Sequence, residues 1–321
     1  MTTDDTLARL LSDGARFAPE YADGLSNHLP MTLVALHRLG ADAARMTAWH
    51  ERYARRLRPA PQADPWPAGD PWPGRLGQLE AWPLYRSLFQ QWVDHEGAQE
   101  MLAQTVPVLM PGCGAAAFHG PIRVACAARS GHAGELADAL AYWACRFLPL
   151  GALPAVPGTQ ADPEPLLQAL RAGRSKRSLI FQRMQDAARG ADLHAQVARL
   201  AIDEHTLERL ARLSAKAYAY SGNFTALHLV TGCHAMRVLS AFLDDDDGTA
   251  LRWFWQAWAA AVVAAAMKAS AAPRLLPWEA IVQSALAQDD EHVIKLVDSC
   301  REQERAYGGS DWRLAASRAV A

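Results

Sequence analysis

The chain has 321 residues, with 32 Lys and Arg against 34 Asp and Glu, and half of its residues are hydrophobic. That length is enough for a large buried core, the even charge balance excludes an extended nucleic-acid surface, which needs clustered Lys and Arg, and the apolar fraction excludes disorder. Five cysteines (Cys113, Cys126, Cys145, Cys233, Cys300) without CxxC spacing predict a reducing, cytoplasmic setting in which each is a small buried hydrophobe.

Met1–Asp13 carries three Asp and one Arg and lacks the order of a signal peptide. The longest apolar stretch, Trp253–Met267, contains Gln256 and is short for a bilayer, so no membrane partner is expected.

Thr6–Ala15 predicts a short amphipathic helix and Pro19–Ser26 a polar linker. In NHLPMTLVALHRLGAD, Leu33, Leu36 and Leu39 recur at helical spacing and Gly40 ends the element, while Pro30 is tolerated in a first turn whose N–H is unpaired anyway. His28 therefore precedes a helix N-terminus, whose partial positive charge favours a neutral ring available as a ligand. His37, followed by Arg38, reads as a surface or second-layer residue.

Met46–Leu57 predicts an Arg-rich helix. Arg58–Gly77 breaks periodicity with six prolines and two Pro-Trp-Pro units, an ordered loop whose Trp66 and Trp72 either cap a cavity as a lid or anchor the loop to the body. Trp82–Ala103 predicts one helix or two, Thr105–Gly114 a chain reversal, and Ala115–Arg129 a new helix. There His119 stands between Phe118 and Gly120, whose small size lets a bulky group approach, and Arg123 lies one turn on. Gly134–Phe147 predicts an amphipathic helix.

Pro149–Pro165 holds five prolines and is the candidate boundary if residues 1–321, read as one all-helical domain, are built from two packed halves, 1–150 and 166–321. The basic run Arg171–Arg177 reads as a solvated face, and Leu193–Tyr220 as helical. In Ser221–Ala235, Gly222 and Asn223 predict a turn or cap and Thr225–Leu239 a helix. Asp244–Asp247 lacks the ligand alternation of a calcium loop and predicts an acidic turn and cap. Thr249–Ala272 predicts one long interior helix carrying Lys268, and Trp278–Leu286 and Asp289–Tyr307 are two more. With no alternating strand and no internal repeat, the fold class is all-α, a large bundle-like domain with Pro- and Trp-rich loops.

His228 sits in the apolar run Phe224, Leu227, Leu229, Val230, where an unsatisfied imidazole costs roughly 1–3 kcal/mol. It is either a core histidine donating to a backbone carbonyl or a ligand. His234 is six residues on, about 120° around the helix, so the two rings do not address one point. His292 and Lys295 share a helix face, the way bundles present a metal. Burial would lower the lysine pKa and let the neutral amine take up carbon dioxide as a carbamate, while a His and Lys at a solvated helix edge is the alternative. His28, His119, His228 and His292 thus lie at apolar helix segments across the chain, a set suited to iron, copper or zinc. There is no HExxH, ExxH, Walker loop or GxGxxG. Cys233 adjoins His234, but no spacing selects a nucleophile.

NHLPMTLVALHRLGA, FHGPIR with ELADALAYW, SGNFTALHLVTGCHA and DDEHVIKLV, in that order from Asn27 to Val297, together resemble the questin oxidase-like family. The resemblance implies an all-helical oxygenase related to fungal enzymes that open the central ring of anthraquinones, some of them Baeyer–Villiger type and NADPH-linked. It implies a mononuclear non-haem iron site with His28, His119, His228, His292 and a carbamylated Lys295 as catalytic and metal-binding residues, with Lys268 the rival lysine. His234 falls outside the shared pattern. The expected cofactors are iron and dioxygen, with NADPH in the Baeyer–Villiger alternative, and the expected partner is a small aromatic, quinone-like molecule. Arg123 and Tyr218 or Tyr220 are candidate polar contacts to it, and Trp253, Phe254, Trp258 and the Trp66/Trp72 loop candidate walls. The alternatives are a metal-free oxidase or hydrolase of this fold and a non-enzymatic protein that holds a hydrophobic ligand.

Overall fold

The computed structural model describes residues 2–156, 158–170, 173 and 175–321, so part of the basic run 171–177 lies outside the described residues. Sixteen α-helices, four short 3₁₀ turns and one tiny hairpin make up the regular structure among them. In order they are α1 (Thr3–Gly14), the antiparallel strands β1 (Glu20–Tyr21) and β2 (Leu25–Ser26), α2 (Leu29–Leu39), α3 (Ala43–Ala54), α4 (Trp82–Glu96), α5 (Ala98–Leu109), α6 (His119–Ser130), α7 (Ala133–Cys145) and α8 (Glu164–Gln168). There follow α9 (Ile180–Ala188), α10 (Ala191–Val197), α11 (Thr206–Ala219), α12 (Phe224–Leu239), α13 (Thr249–Ala265), α14 (Trp278–Ala287), α15 (Glu291–Tyr307) and α16 (Asp311–Val320). The fold is predominantly all-α, the hairpin falling in the expected linker, and no helix among the described residues is long and apolar enough to cross a membrane.

Helix α12 is buried along nearly its whole length and packs against α6, α11, α13 and α15, while α2 packs against α6 and α15. The helices α2, α6, α12 and α15 thus close a ring of four, each touching two others of the set. Ion pairs fasten this ring: Arg129 of α6 meets Asp298 of α15 at 2.8 Å, and Arg38 of α2 reaches Glu302 of α15 at 3.0 Å. Gly120 is where α6 meets α7, since a Cβ there would lie 2.9 Å from the Trp143 ring. The bulky group that the glycine admits beside His119 is therefore a core tryptophan.

Several boundaries depart from the sequence expectations. The reversal expected over Thr105–Gly114 is instead the end of α5, which carries Pro107 inside it and runs on as a 3₁₀ turn through Gly112. Helix α6 begins at His119 and not at Ala115, because Ala116, Ala117 and Phe118 take left-handed φ of 46°, 59° and 69°. Helix α13 stops at Ala265, where Ala266 turns left-handed at φ 44°, and Lys268 follows in an exposed irregular segment. Lys268 therefore lacks the buried setting that made it the rival to Lys295. Helix α16, unforeseen in the sequence, packs on α11 and α15.

Candidate functional site

The four histidines sit at the N-terminal ends of the four ring helices. His28 is the residue before α2, His119 is the first of α6, His228 lies in the first turns of α12, and His292 is the second residue of α15. Their rings touch one another. Centroids are 4.7 Å apart for His28 and His119, 4.6 Å for His28 and His292, 4.9 Å for His119 and His228, and 5.8 Å for His228 and His292. One turn along α15, the Lys295 amine reaches the cluster and donates to His28 Nδ1 at 3.2 Å.

Local structure fixes which nitrogen each ring presents. His119 Nδ1 donates to Ala116 O at 2.6 Å and His228 Nδ1 to Phe224 O at 2.8 Å, so each Nε2 keeps its lone pair. The left-handed residues before His119 aim the Ala116 carbonyl back at that ring. Such backbone costs about 1–2 kcal/mol per residue and persists where surrounding packing overrides it. Gly232 gives way to the same turn, since a Cβ there would meet the Phe118 ring at 3.2 Å. His292 Nδ1 is 3.3 Å from Asp290 Oδ1, the carboxylate that also caps α15. Asn27 bridges the hairpin to α2, accepting from Leu29 N and donating to Ala18 O, and the Tyr53 hydroxyl accepts from His28 N.

The donor set fits a transition-metal ion. His119 Nε2 is buried without a hydrogen-bond partner among the described residues, a condition that costs roughly 1–3 kcal/mol unless a cation or donor meets it. Burial holds His28 and His119 well below the ordinary imidazole range, brings His228 down to about 3 and lowers His292. Burial likewise lowers Lys295 to about 8. Four converging helix N-termini add positive potential, which opposes protonated imidazole and favours anionic groups. The rings are therefore neutral near pH 7, as metal ligands must be.

Ring contact and donor-atom geometry do not select the same set. Among the described residues, one trio has donor atoms all within 4.8 Å of one another, and it is His28, Glu291 and His292. His119 and His228 touch these rings without joining the trio.

His234 lies apart from the cluster, its Nδ1 3.0 Å from Ser299 Oγ. Its Nε2 has no hydrogen-bond partner, and the ring lines a cavity of about 10 Å³ behind Lys295, room for one water. His37 is a surface residue paired with Asp4.

The expected substrate contacts and walls fare differently. Arg123 is engaged by Glu135 through two bonds of 2.6 and 2.9 Å, buried with it between α6 and α7, while its Nη1 has no hydrogen-bond partner among the described residues. Tyr218 is buried and Tyr220 exposed. Trp66 packs on Tyr85 and Trp72 on Phe89, both of α4, so the Pro-Trp-Pro loop is anchored to the body. Trp258 donates to Ser214 Oγ and stacks on Trp255, while Phe254 touches Phe118, the residue before His119. These rings are core behind the site.

Three features escaped the sequence reading. Glu291, beside His292 at the start of α15, is buried. Phe224, in the apolar run around His228, is 52% exposed with its ring edge-on to His228 and His292, 4.7 Å from each. The left-handed turn before His119 has no sequence mark, since it contains no glycine.

A family model described as Questin oxidase-like matches residues 25–300, so the chain belongs to the questin oxidase-like family. That family name points to an oxidoreductase, an oxygenase acting on an aromatic substrate. No curated protein matches the chain.

Proposed function

We propose that this chain is a non-haem, iron-dependent oxygenase that oxidises or cleaves a bulky aromatic, quinone-like substrate with dioxygen. The observation that carries the reading is four neutral imidazoles, three of them buried and His292 half-buried, meeting at the N-termini of four helices, with a buried lysine amine among them. His28, His119, His228 and His292 would hold the metal, and Lys295 would join them as its carbamate. Bound iron supplies the one-electron chemistry that lets dioxygen react with a closed-shell aromatic.

The protein's own groups do the rest. The Ala116 and Phe224 carbonyls hold the His119 and His228 tautomers and keep each Nε2 lone pair inward. The apolar flanks of the helices keep water from the cluster. Carbamate formation joins Lys295 Nζ to the carbon of carbon dioxide and releases one proton, and with the amine lowered to about 8, about a tenth of it is neutral and reactive at pH 7. Phe224, the exposed aromatic at the rim, offers a face on which a planar substrate can stack.

The test is metal analysis of protein purified without chelator, together with dioxygen uptake on a hydroxyanthraquinone. Roughly one iron per chain and uptake requiring both metal and quinone are expected. Substoichiometric iron, copper or zinc that reconstitution cannot raise would sink the metal reading. His228→Ala and His292→Ala then separate enzyme from binding protein, since an enzyme loses metal and turnover but keeps quinone binding.

A further inference from the structure

We propose that the cleft between α1 and α3 binds the phosphate group of a small organic phosphate monoester, with Arg9 and Arg55 on its oxygens and His50 accepting its remaining O–H. None of the clustered histidines lines this cleft, and neither does Lys295, so the inference stands apart from the metal reading. The cleft has a volume of about 560 Å³. That is the size of pockets that hold small organic molecules and far more than one phosphate needs.

His50 of α3 distinguishes this cleft from a bare basic patch. Its ring is 3% exposed and yet lines the cleft. Nε2 lies 3.0 Å from Asp13 Oδ2, off the line of a good hydrogen bond, and Nδ1 makes no hydrogen bond among the described residues. Burial, aided by Arg16 and Arg9, holds the ring below the ordinary imidazole range against the opposite pull of Asp13 and Glu51. The neutral ring keeps its proton on Nε2, beside the carboxylate, and so offers Nδ1 as an acceptor. Around it stand Arg9 of α1, Arg16, and Arg55 at the end of α3, all exposed. Arg16 is taken up by Asp13 at 3.1 Å. Two guanidinium groups, Arg9 and Arg55, then face one carboxylate, Glu51, with no ion-pair partner for any of the three among the described residues. A phosphate monoester matches this set, because its oxygens take guanidinium donors and its second proton, lost only near about pH 6, can stay at Nδ1. Sulfate and carboxylate ligands are acceptors only at neutral pH, so each would face the Nδ1 lone pair unmatched. Leu10, Phe17 and Ala54 make the rest of the wall apolar, which suits an organic body on the phosphate.

The test is calorimetric titration of the full chain with phenyl phosphate, inorganic phosphate and sulfate. Phenyl phosphate should bind most tightly, and inorganic phosphate at least about tenfold more tightly than sulfate, the worth of one hydrogen bond to a charged group. Arg9→Ala and Arg55→Ala, both at exposed positions, should each weaken phosphate and sulfate alike by at least about fivefold through lost charge-assisted bonds. His50→Leu should bring phosphate down to the sulfate level. Phosphate and sulfate binding equally to wild type would mean an adventitious ion only and would overturn the proposal. Inorganic phosphate binding as tightly as phenyl phosphate would overturn the organic ligand and make free phosphate the occupant. Affinities unchanged in both arginine variants would put the anion elsewhere and end the assignment, and so would a wild type that binds none of the three. Should His50→Leu not fold, the arginine variants and the sulfate comparison decide.

Discussion

His228 is neutral because it is dry, and that has a cost in acid. Its folded pKa of about 3 lies below the unfolded value near 6.5, so the unfolded chain binds the extra proton first as pH falls. Metal-free protein should therefore lose stability below about pH 6.5, by roughly 2 kcal/mol between pH 7 and pH 5 from this residue alone. Denaturant titrations at the two pH values measure it, and His228→Leu should flatten the slope by that amount. An unchanged slope would mean that the ring is hydrated. Single residues were legible in the sequence where chemistry contrasts with surroundings: an imidazole in an apolar run is visible, and so is a His-Lys pair one turn apart. Glu291 and Phe224 were not, because a Glu at a helix start and a Phe in an apolar run look ordinary until burial is known. Phe224→Ala should weaken hydroxyanthraquinone binding at least about tenfold while leaving metal content unchanged, measured by equilibrium dialysis. A ring that merely shields the histidines would leave that binding unaltered.

Helices place the histidines, and Asn223 shows how tightly. Its Oδ1 accepts from Thr225 N and Ala226 N at 2.8 and 3.2 Å, capping α12, while Nδ2 donates to Ala265 O, the last residue of α13, at 3.0 Å. One side chain thus sets both where the helix of His228 begins and where the next ends. Asn223→Ala should cost about 1–2 kcal/mol, and Asn223→Asp, which keeps the cap but loses the N–H donor, should retain about half of that in chemical denaturation. Equal losses in both variants would place the whole effect in the tie to α13. Elements were legible where apolar periodicity and caps agreed, as in α2, α12 and α15. They were misjudged where tertiary packing overrode local propensity: Pro107 inside α5, Ala116–Phe118 left-handed before α6, and an Ala-rich run that stops at Ala265 because Asn223 and Ala266 end it.

The site exists only in the whole molecule, because α2 and α6 come from the first half of the chain and α12 and α15 from the second. Periodicity could yield these helices and the resemblance could name their histidines. Neither could show that four N-termini meet, since that is a property of long-range packing. A metal that binds this junction ties all four helices together and binds only the folded chain. At a hundred times its Kd it should add about 2.7 kcal/mol to stability, seen as a rise of several degrees in Tm when metal-free protein is loaded with Fe(II) anaerobically or with Zn(II). Chelator should reverse the rise. His28→Ala and His292→Ala, which remove donors from the shortest-range trio, should abolish it even where they leave the metal-free Tm nearly unchanged. His234→Ala is the control, because its ring bonds to Ser299 and lines the cavity behind Lys295. That variant should melt earlier and yet keep the full metal-dependent increment. If His234→Ala lost the increment while His28→Ala kept it, the metal would sit behind Lys295 and not at the helix N-termini.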